Sequence, residues 1–363
     1  MKKRVALISL RFNPAFIQHL IAYAKAMQEL GHDPEFLLDS AYRSFQELQG
    51  VAYLREVSSD LLAIAWSYAV FLNPSPENRK LANALKMKGA KILYVYHEPW
   101  QMSLNYVWSQ GPVATFKAIM AHHVTVPALK LADTIILPSR NALREYWKSD
   151  AQYNENANYL PLLYDDEGPD AITGILPRKR YLGYIGSLCR SHGFDQYLSF
   201  ARYALGKGLK ISFLIASRNP LPPRIVNDPL FSQNLDKVEI RCGRPLGKDE
   251  INRCYAESIC VWNLYRTSTQ SGVLPKAFMF GTPVIAARIG SFPEFVQEGV
   301  NGRFSDARDH EGIWAAFEDI RSNLNMYAAN SRKTFLKTFY YRPHMAELGR
   351  LLDSGARPSE QPL

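Results

Sequence analysis

Ser268-Thr269-Gln270-Ser271-Gly272-Val273-Leu274-Pro275-Lys276-Ala277-Phe278-Met279-Phe280-Gly281-Thr282-Pro283-Val284-Ile285-Ala286 runs from a hydroxyl-rich loop through an apolar helical stretch. It then takes a Gly-Thr-Pro turn into a short buried strand. A helix turned tightly into a buried strand is a unit of a doubly wound parallel sheet. Ser271, Gly272 and Val273 would set backbone N–H groups at the helix N-terminus, with Lys276 one turn in. Free N–H donors, the positive helix end and a cation suit a diphosphate. A capped helix with Lys276 in solvent is the plainer alternative.

Outward from this stretch, strand-like and helix-like runs alternate along the chain. In the first half Val5–Leu10, Glu35–Leu38, Ala69–Leu72, Lys91–Tyr96 and Thr134–Leu137 read as strands. Ala15–Leu30 reads as a helix with Phe16, Leu20, Tyr23, Met27 and Leu30 on one face, stopped by Gly31. Glu77–Lys88 and Phe116–Ala128 are also helical, and Ser139 caps a helix running toward Trp147. In the second half Tyr181–Gly186, Leu209–Ala216, Lys237–Arg241, Ile259–Trp262 and Pro283–Ala286 are strands, and Lys248–Ala256 is a helix. The polar stretch Asp150–Arg180 reads as loop, with a linker near 165–178. The expected fold class is α/β, with two doubly wound Rossmann-like domains facing across a cleft. Residues 1–170 form the first and 171–338 the second. In 339–363 a helix at about Phe339–Leu352 would pack back on the first domain.

The chain has 363 residues, enough for two domains. Hydrophobic residues at 47% and charged residues at 21% exclude a disordered chain or a disulfide scaffold. The apolar run Leu61–Leu72 already contains Ser67, and none approaches the roughly 20 residues of a membrane span. The opening Met-Lys-Lys-Arg precedes only Val5–Leu10, so a buried strand fits better than a signal peptide. The four cysteines Cys189, Cys242, Cys254 and Cys260 form no Cys-x-x-Cys, which points to reduced thiols and a cytoplasmic location.

The net charge of +9 is one-sided. Residues 1–175 hold 17 Lys+Arg against 17 Asp+Glu, whereas 176–363 hold 26 against 17, and 18 of those 26 are Arg. In the basic second half the only run of three is Arg178-Lys179-Arg180, which speaks against a nucleic-acid-binding tail. Dispersed arginine fits a small anion such as a phosphate ester, or simply a solvated basic surface. No Gly-x-Gly-x-x-Gly, Walker lysine, Gly-x-Ser-x-Gly or His-x-x-x-His stands in the sequence, so dinucleotide, P-loop, serine-hydrolase and zincin chemistries lack their motifs. No Asp-x-Asp stands at a strand end, and no metal or cofactor is expected.

Six landmarks in order resemble the retaining GT-B glycosyltransferases of the glycosyl transferases group 1 (family 4) type. They are Gly31-His32, Ala132–Ser139, Leu182–Gly186 followed by Gly193, Gly281–Ala286, Pro293-Glu294, and Glu298-Gly299-x-Asn301-Gly302. The resemblance implies a GT-B fold and sugar transfer from a nucleotide-sugar to a glycan or lipid-linked acceptor, with retention of configuration. It associates the chain with bacterial capsule, exopolysaccharide or lipopolysaccharide assembly, and with peripheral contact to the inner membrane face through an apolar helix such as Val113–Val126. Two departures stand out. The family's pair of glutamates is replaced by Ser268 and Lys276, and its Arg and Lys of the first second-domain loop by Ser187 and His192, with Arg190 between them.

The residues and the resemblance together suggest the following site, with Lys276 and Arg190 offered on charge alone because the family pattern places no cation at them. Diphosphate and donor binding fall to Gly186, Ser187, Arg190, Gln270, Ser271, Gly272, Val273 and Lys276, with Lys276 also stabilising the leaving group. Base and ribose fall to Gly243, Arg244 and Glu294. In the first domain, His97 at a strand end would take a proton or hydrogen-bond role near neutral pH, and Glu98 would act as base or acceptor ligand. Asn13, His122 and His123 would lie on the acceptor side. Each also has a structural reading, as a cap, a surface arginine or a carbonyl-bonded histidine. A GT-B-like protein that binds a nucleotide-sugar or glycan without transferring is the second hypothesis, and a GT-B epimerase or phosphorylase the third.

Overall fold

The computed structural model describes residues 2–55, 63–97, 112–148, 155–168, 179–268 and 270–353. The chain forms two compact units, Met1–Asp165 with Thr338–Leu363, and Asp166–Lys337. In the first, β1 (Arg4–Ser9), β2 (Asp33–Leu38), β3 (Tyr53–Arg55), β4 (Tyr68–Phe71), β5 (Lys91–Val95), β6 (Thr134–Leu137) and β7 (Ala157–Tyr159) form a parallel sheet in the order β3-β2-β1-β4-β5-β6-β7. Val5–Ser9 and Tyr68–Phe71 are buried along their whole length. Strands covered on both faces carry no polar alternation, which is why they read as continuous apolar runs. Helix Ile17–Glu29 buries Leu20, Tyr23 and Met27 against this sheet.

Two edge strands depart from the sequence reading. β3 and β7 are three residues each, and β7 lies inside the stretch read as loop. They are held by backbone pairing to β2 and β6 rather than by an apolar pattern. The C-terminal return also differs in detail. Tyr340 bridges Tyr164 in extended form, Arg342–His344 make a 3-10 turn around Pro343, and the helix begins only at Met345. It runs to Asp353 and buries Leu348, Leu351 and Leu352 in the first unit's core.

The second unit holds β8 (Tyr181–Ile185), β9 (Ser212–Ser217), β10 (Val238–Cys242), β11 (Ser258–Asn263), β12 (Val284–Ala286) and β13 (Gly302–Phe304). They are parallel and ordered β10-β9-β8-β11-β12-β13. Its core includes Tyr197, Phe200, Phe213 and Trp262, with Tyr197 edge-on to Trp262 at 5.3 Å. In each sheet the winding direction reverses beside the first strand, between β1 and β4 and between β8 and β11. Such a switch point opens a crevice at the carboxyl ends, where doubly wound sheets bind ligands. No helix among the described residues is long and apolar enough to cross a membrane.

Candidate functional site

At the switch point of the second sheet, the loop leaving β8 (Gly186–Gly193) meets the loop leaving β11 (Leu264–Gly272). The Arg266 N–H donates to the Ser191 carbonyl at 2.8 Å. His192 stacks on Tyr265 with centroids 4.4 Å apart and planes 10° apart. Gly193 has φ +69°, and a Cβ there would collide with the Leu264 carbonyl, so only glycine lets the two loops close. Gly290, at φ +52°, packs in the same way on the Ser268 carbonyl and brings in the segment after β12. A Cβ on Gly186 would lie 3.7 Å from Val273 Cγ2. Gly186, Ser187, Arg190, Ser271, Gly272 and Val273 therefore sit around one carboxyl-edge crevice. Arg190 is exposed and has no side-chain partner among the described residues.

The helix Val273–Met279 starts differently from the sequence expectation. Ser271 Oγ accepts from the Val273 N–H at 3.2 Å and the Leu274 N–H at 3.4 Å, so these amides are capped. Asn263, fully buried at the end of β11, donates to the same hydroxyl at 3.5 Å. The buried atoms Asn263 Oδ1, Gln270 Oε1 and Trp262 Nε1 have no hydrogen-bond partner among the described residues. Buried polar atoms are rarely left unpaired, so this edge is short of ligands for its own groups. Asn263, Trp262 and Tyr265 were not singled out from sequence, because a buried strand end carries no motif.

Lys276 corrects the expectation of a cation offered to a diphosphate. Its ammonium is ion-paired to the buried Glu167 carboxylate and lies 5.6 Å from the Phe280 ring centre. Lys248 also binds Glu167, at 2.9 Å, and Asn252 donates to it at 3.2 Å. Burial raises the Glu167 carboxyl pKa, but Lys276 and Lys248 outweigh it and hold the group ionised. A buried ammonium needs a counter-ion, and Glu167 occupies Lys276 for that purpose.

Farther along the edge, the Gly243 N–H donates to the Asn219 carbonyl at 3.2 Å, joining the loops after β9 and β10. Arg244 is exposed but forms a two-pronged pair with Glu250, at 2.8 and 2.7 Å, so its guanidinium is already engaged. Glu294 is half-buried on the short helix Phe292–Phe295, whose Phe292 packs on Tyr265 at 5.4 Å. In the β8 loop, burial raises the Cys189 thiol while hydrogen bonds from His192 and Ser191 bring it down to about 7.

In the first unit, His97 follows β5 and donates Nε2–H to the Leu72 carbonyl at 3.0 Å. His19 donates Nδ1–H to the Leu163 carbonyl at 2.9 Å. Carbonyls only accept, so each bond assigns a tautomer and leaves His97 Nδ1 as a buried lone pair without a partner among the described residues. Their rings lie 5.8 Å apart, and Phe16 meets His97 edge-on at 4.7 Å. Burial lowers His97 to about 3 and His19 to about 4. Burial thus disfavours the charged ring near neutral pH, which favours the hydrogen-bond role over the proton role for His97.

Asn13 caps the turn Pro14–Phe16 through Oδ1 to the Ala15 N–H at 3.1 Å, and its own N–H donates to Tyr42 Oη at 3.0 Å. His122 is half-buried and His123 exposed on the helix Pro112–Leu129, with rings 5.8 Å apart. Glu98 lies outside the described residues. A cavity of about 420 Å³ opens at the carboxyl ends of β1, β2 and β3, lined in part by Asp39, Arg43, Arg55 and Glu77. Among the described residues no group of three or more His, Cys, Asp or Glu side chains is placed to hold a metal.

Residues 179–323, which cover most of the second unit, match the sequence family described as Glycosyl transferases group 1. The whole chain is similar in fold to solved GT-B structures. HepE of Anabaena, solved with UDP, shares 13% identity at a TM-score of 0.69 over 96% of this chain and 99% of its own. A glycosyltransferase of Rickettsia africae shares 13% at 0.71, over 97% and 98%. Sucrose-phosphate synthase of Thermosynechococcus elongatus shares 13% at 0.66, over 96% and 98%. No curated protein matches by sequence. The fold is GT-B, two Rossmann-like units, and the group 1 glycosyl transferase signature lies in the unit that carries the carboxyl-edge crevice.

Proposed function

We propose that the protein is a glycosyltransferase that moves a sugar from a nucleotide-sugar to a hydroxyl of a glycan or lipid-linked glycan, with retention of configuration, in surface polysaccharide assembly. The observation that carries the reading is the junction of the β8 and β11 loops within the segment matching glycosyl transferases group 1. There Arg190, without a side-chain partner among the described residues, shares the edge with capped amides and with buried acceptors that lack donors among those residues.

In this reading Arg190, Ser187 and Gly186 hold the diphosphate, whose oxygen takes over the Val273 and Leu274 amides from Ser271. Gln270 and Asn263 accept hydrogen bonds from donor hydroxyls, and Gly243 and Glu294 flank base and ribose. Lys276 serves the donor helix through Glu167 rather than touching phosphate. The first unit takes the acceptor near Asn13 and the cavity of Asp39, Arg43, Arg55 and Glu77, with His97 Nδ1 accepting from a sugar hydroxyl. The acceptor oxygen bonds to the anomeric carbon as the bond to the diphosphate oxygen breaks. The hydroxyl proton passes to the departing phosphate. Arg190 stabilises the charge developing there, and no metal is required. Phe116 and Met120, exposed one turn apart on Pro112–Leu129, support peripheral membrane contact.

The replacement of the family's two glutamates by Ser268 and Lys276 favours one second reading, a GT-B-like protein that binds a nucleotide-sugar or glycan without transferring it. Calorimetry with UDP-, GDP- and ADP-sugars on wild type and Arg190→Ala, followed by a donor-hydrolysis assay, separates the two. Binding of one donor that weakens about tenfold (about 1.4 kcal/mol) in the variant, with turnover, establishes the transferase. Binding with neither hydrolysis nor transfer favours the second reading, and absence of binding sinks the site assignment.

A further inference from the structure

A cavity of about 800 Å³ in the second unit lies at the opposite edge of the sheet from the crevice. Its walls come from the amino ends of four strands, through Lys179 and Arg180 before β8, Lys210 before β9, Lys237 before β10 and Glu257 before β11. The volume is that of an ordinary small-molecule site, and its charge is unbalanced. Glu257 is spent on Arg241 at 2.7 Å. Arg321 is spent on Glu318 at 2.7 Å and the Lys210 carbonyl at 2.6 Å. That leaves Asp236 facing Lys179, Arg180, Lys210 and Lys237, none of which has a carboxylate in ion-pair range among the described residues.

Lys179 is the most exacting of these. Its ammonium donates to Thr282 Oγ1 at 2.7 Å and the Ser258 carbonyl at 3.2 Å, both neutral. Burial pushes its pKa down to about 8, the response of a cation that lacks a counter-charge. The helices Lys248–Glu257 and His310–Ser322 end at this edge, and their carbonyl termini attract cations. At about half an elementary charge each they do not offset the surplus. Within a chain whose positive excess lies wholly in its second half, four uncompensated cations converge on one concavity.

We infer that this amino-edge cavity is a second anion-binding site, for a phosphate monoester or diphosphate, separate from the carboxyl-edge crevice and independent of the reading given for it. Lys179 would hold the phosphate from the floor, and the exposed Arg180 and Lys210 and the half-buried Lys237 from the rim, as charge-assisted donors. The phosphate could belong to a soluble metabolite or to a lipid headgroup, and both present the same oxygens.

The test uses the full chain in an Arg190→Ala background, which keeps the crevice out of the readout, with and without Lys210→Glu and Lys237→Glu. Both lysines are at the rim, so the fold is retained, as circular dichroism and the melting transition will check. Titration with inorganic pyrophosphate is expected to show saturable binding that weakens at least about tenfold in the double variant. Flotation with phosphatidylcholine vesicles, with and without phosphatidic acid, a lipid phosphate monoester, distinguishes the sources. Capture only by phosphatidic acid vesicles, lost in the double variant, assigns a lipid phosphate. Pyrophosphate binding without capture assigns a soluble one. Pyrophosphate binding equal in both proteins, or neither binding nor capture, overturns the inference.

Discussion

The Lys276 ammonium is ion-paired to the carboxylate of Glu167, a residue from the segment that enters the second unit, 109 positions away in the chain. The neighbouring Asp166 is held by Arg332 at 2.8 Å. Two successive acidic residues thus anchor the entering segment to the helices that bear Lys276 and Arg332. The position where the resembled family keeps a glutamate is occupied here by the opposite charge, and the carboxylate comes from elsewhere in the fold.

Removing Glu167 leaves Lys276 buried and unpaired. Glu167→Ala is expected to destabilise the second unit by about 3–5 kcal/mol, while the double replacement Glu167→Leu with Lys276→Met recovers most of the loss. A double-mutant cycle on the second unit's unfolding transition measures this. Additive losses would show that the pair contributes nothing as a pair.

The buried histidines make the first unit acid-sensitive. His19 and His97 titrate at about 4 and about 3 in the folded protein, against 6.5 in the unfolded chain. Between those values the unfolded chain binds more protons, so stability is fully present above pH 6.5 and lost as the pH falls. At pH 5 the cost is roughly 2 kcal/mol per histidine. Melting of the first unit from pH 7.5 to 5 should show this slope, and His19→Phe should reduce it by about half; an unchanged slope would refute the assignment.

Gly193→Ala forces a side chain into the left-handed region and against the Leu264 carbonyl. A loss of about 1–3 kcal/mol is expected in the second unit, together with weakened nucleotide-sugar binding as the β8 and β11 loops separate. Gly208→Ala, which has positive φ but open space around it, supplies the control for strain without collision.

Cys189 should alkylate first among the four thiols. It is partly exposed and titrates near 7, whereas burial raises Cys242 to about 11 and also raises Cys254 and Cys260. Peptide mapping after brief iodoacetamide treatment should find Cys189 modified with half-maximal rate near pH 7. Prior modification of Cys242 would contradict the loop geometry.

Much of the fold was legible because it is written locally. The buried strands Val5–Ser9, Tyr68–Phe71 and Ser258–Asn263 are apolar runs because both faces are covered, and Ser139 announced its helix through the hydroxyl that accepts from the Ala142 N–H at 2.9 Å. The edge strands Tyr53–Arg55 and Ala157–Tyr159 were not legible, since backbone pairing at a sheet margin asks little of side chains. The ion pair of Lys276 with Glu167 was hidden for a similar reason. The lysine's spacing was visible, but its partner was not.

The sequence by itself determined two doubly wound units and the order of their landmarks, because strand and helix periodicity and turn chemistry act over a few residues. Tertiary structure alone decided which charges are free. Among the described residues Arg190 has no side-chain partner whereas Lys276 does, and His97 is held neutral because a fold-dependent pocket desolvates it. Lys179, Lys210 and Lys237 converge only because β8, β9 and β10 are neighbours in a parallel sheet. Desolvation and long-range pairing depend on what the folded chain brings alongside, and no local pattern encodes that.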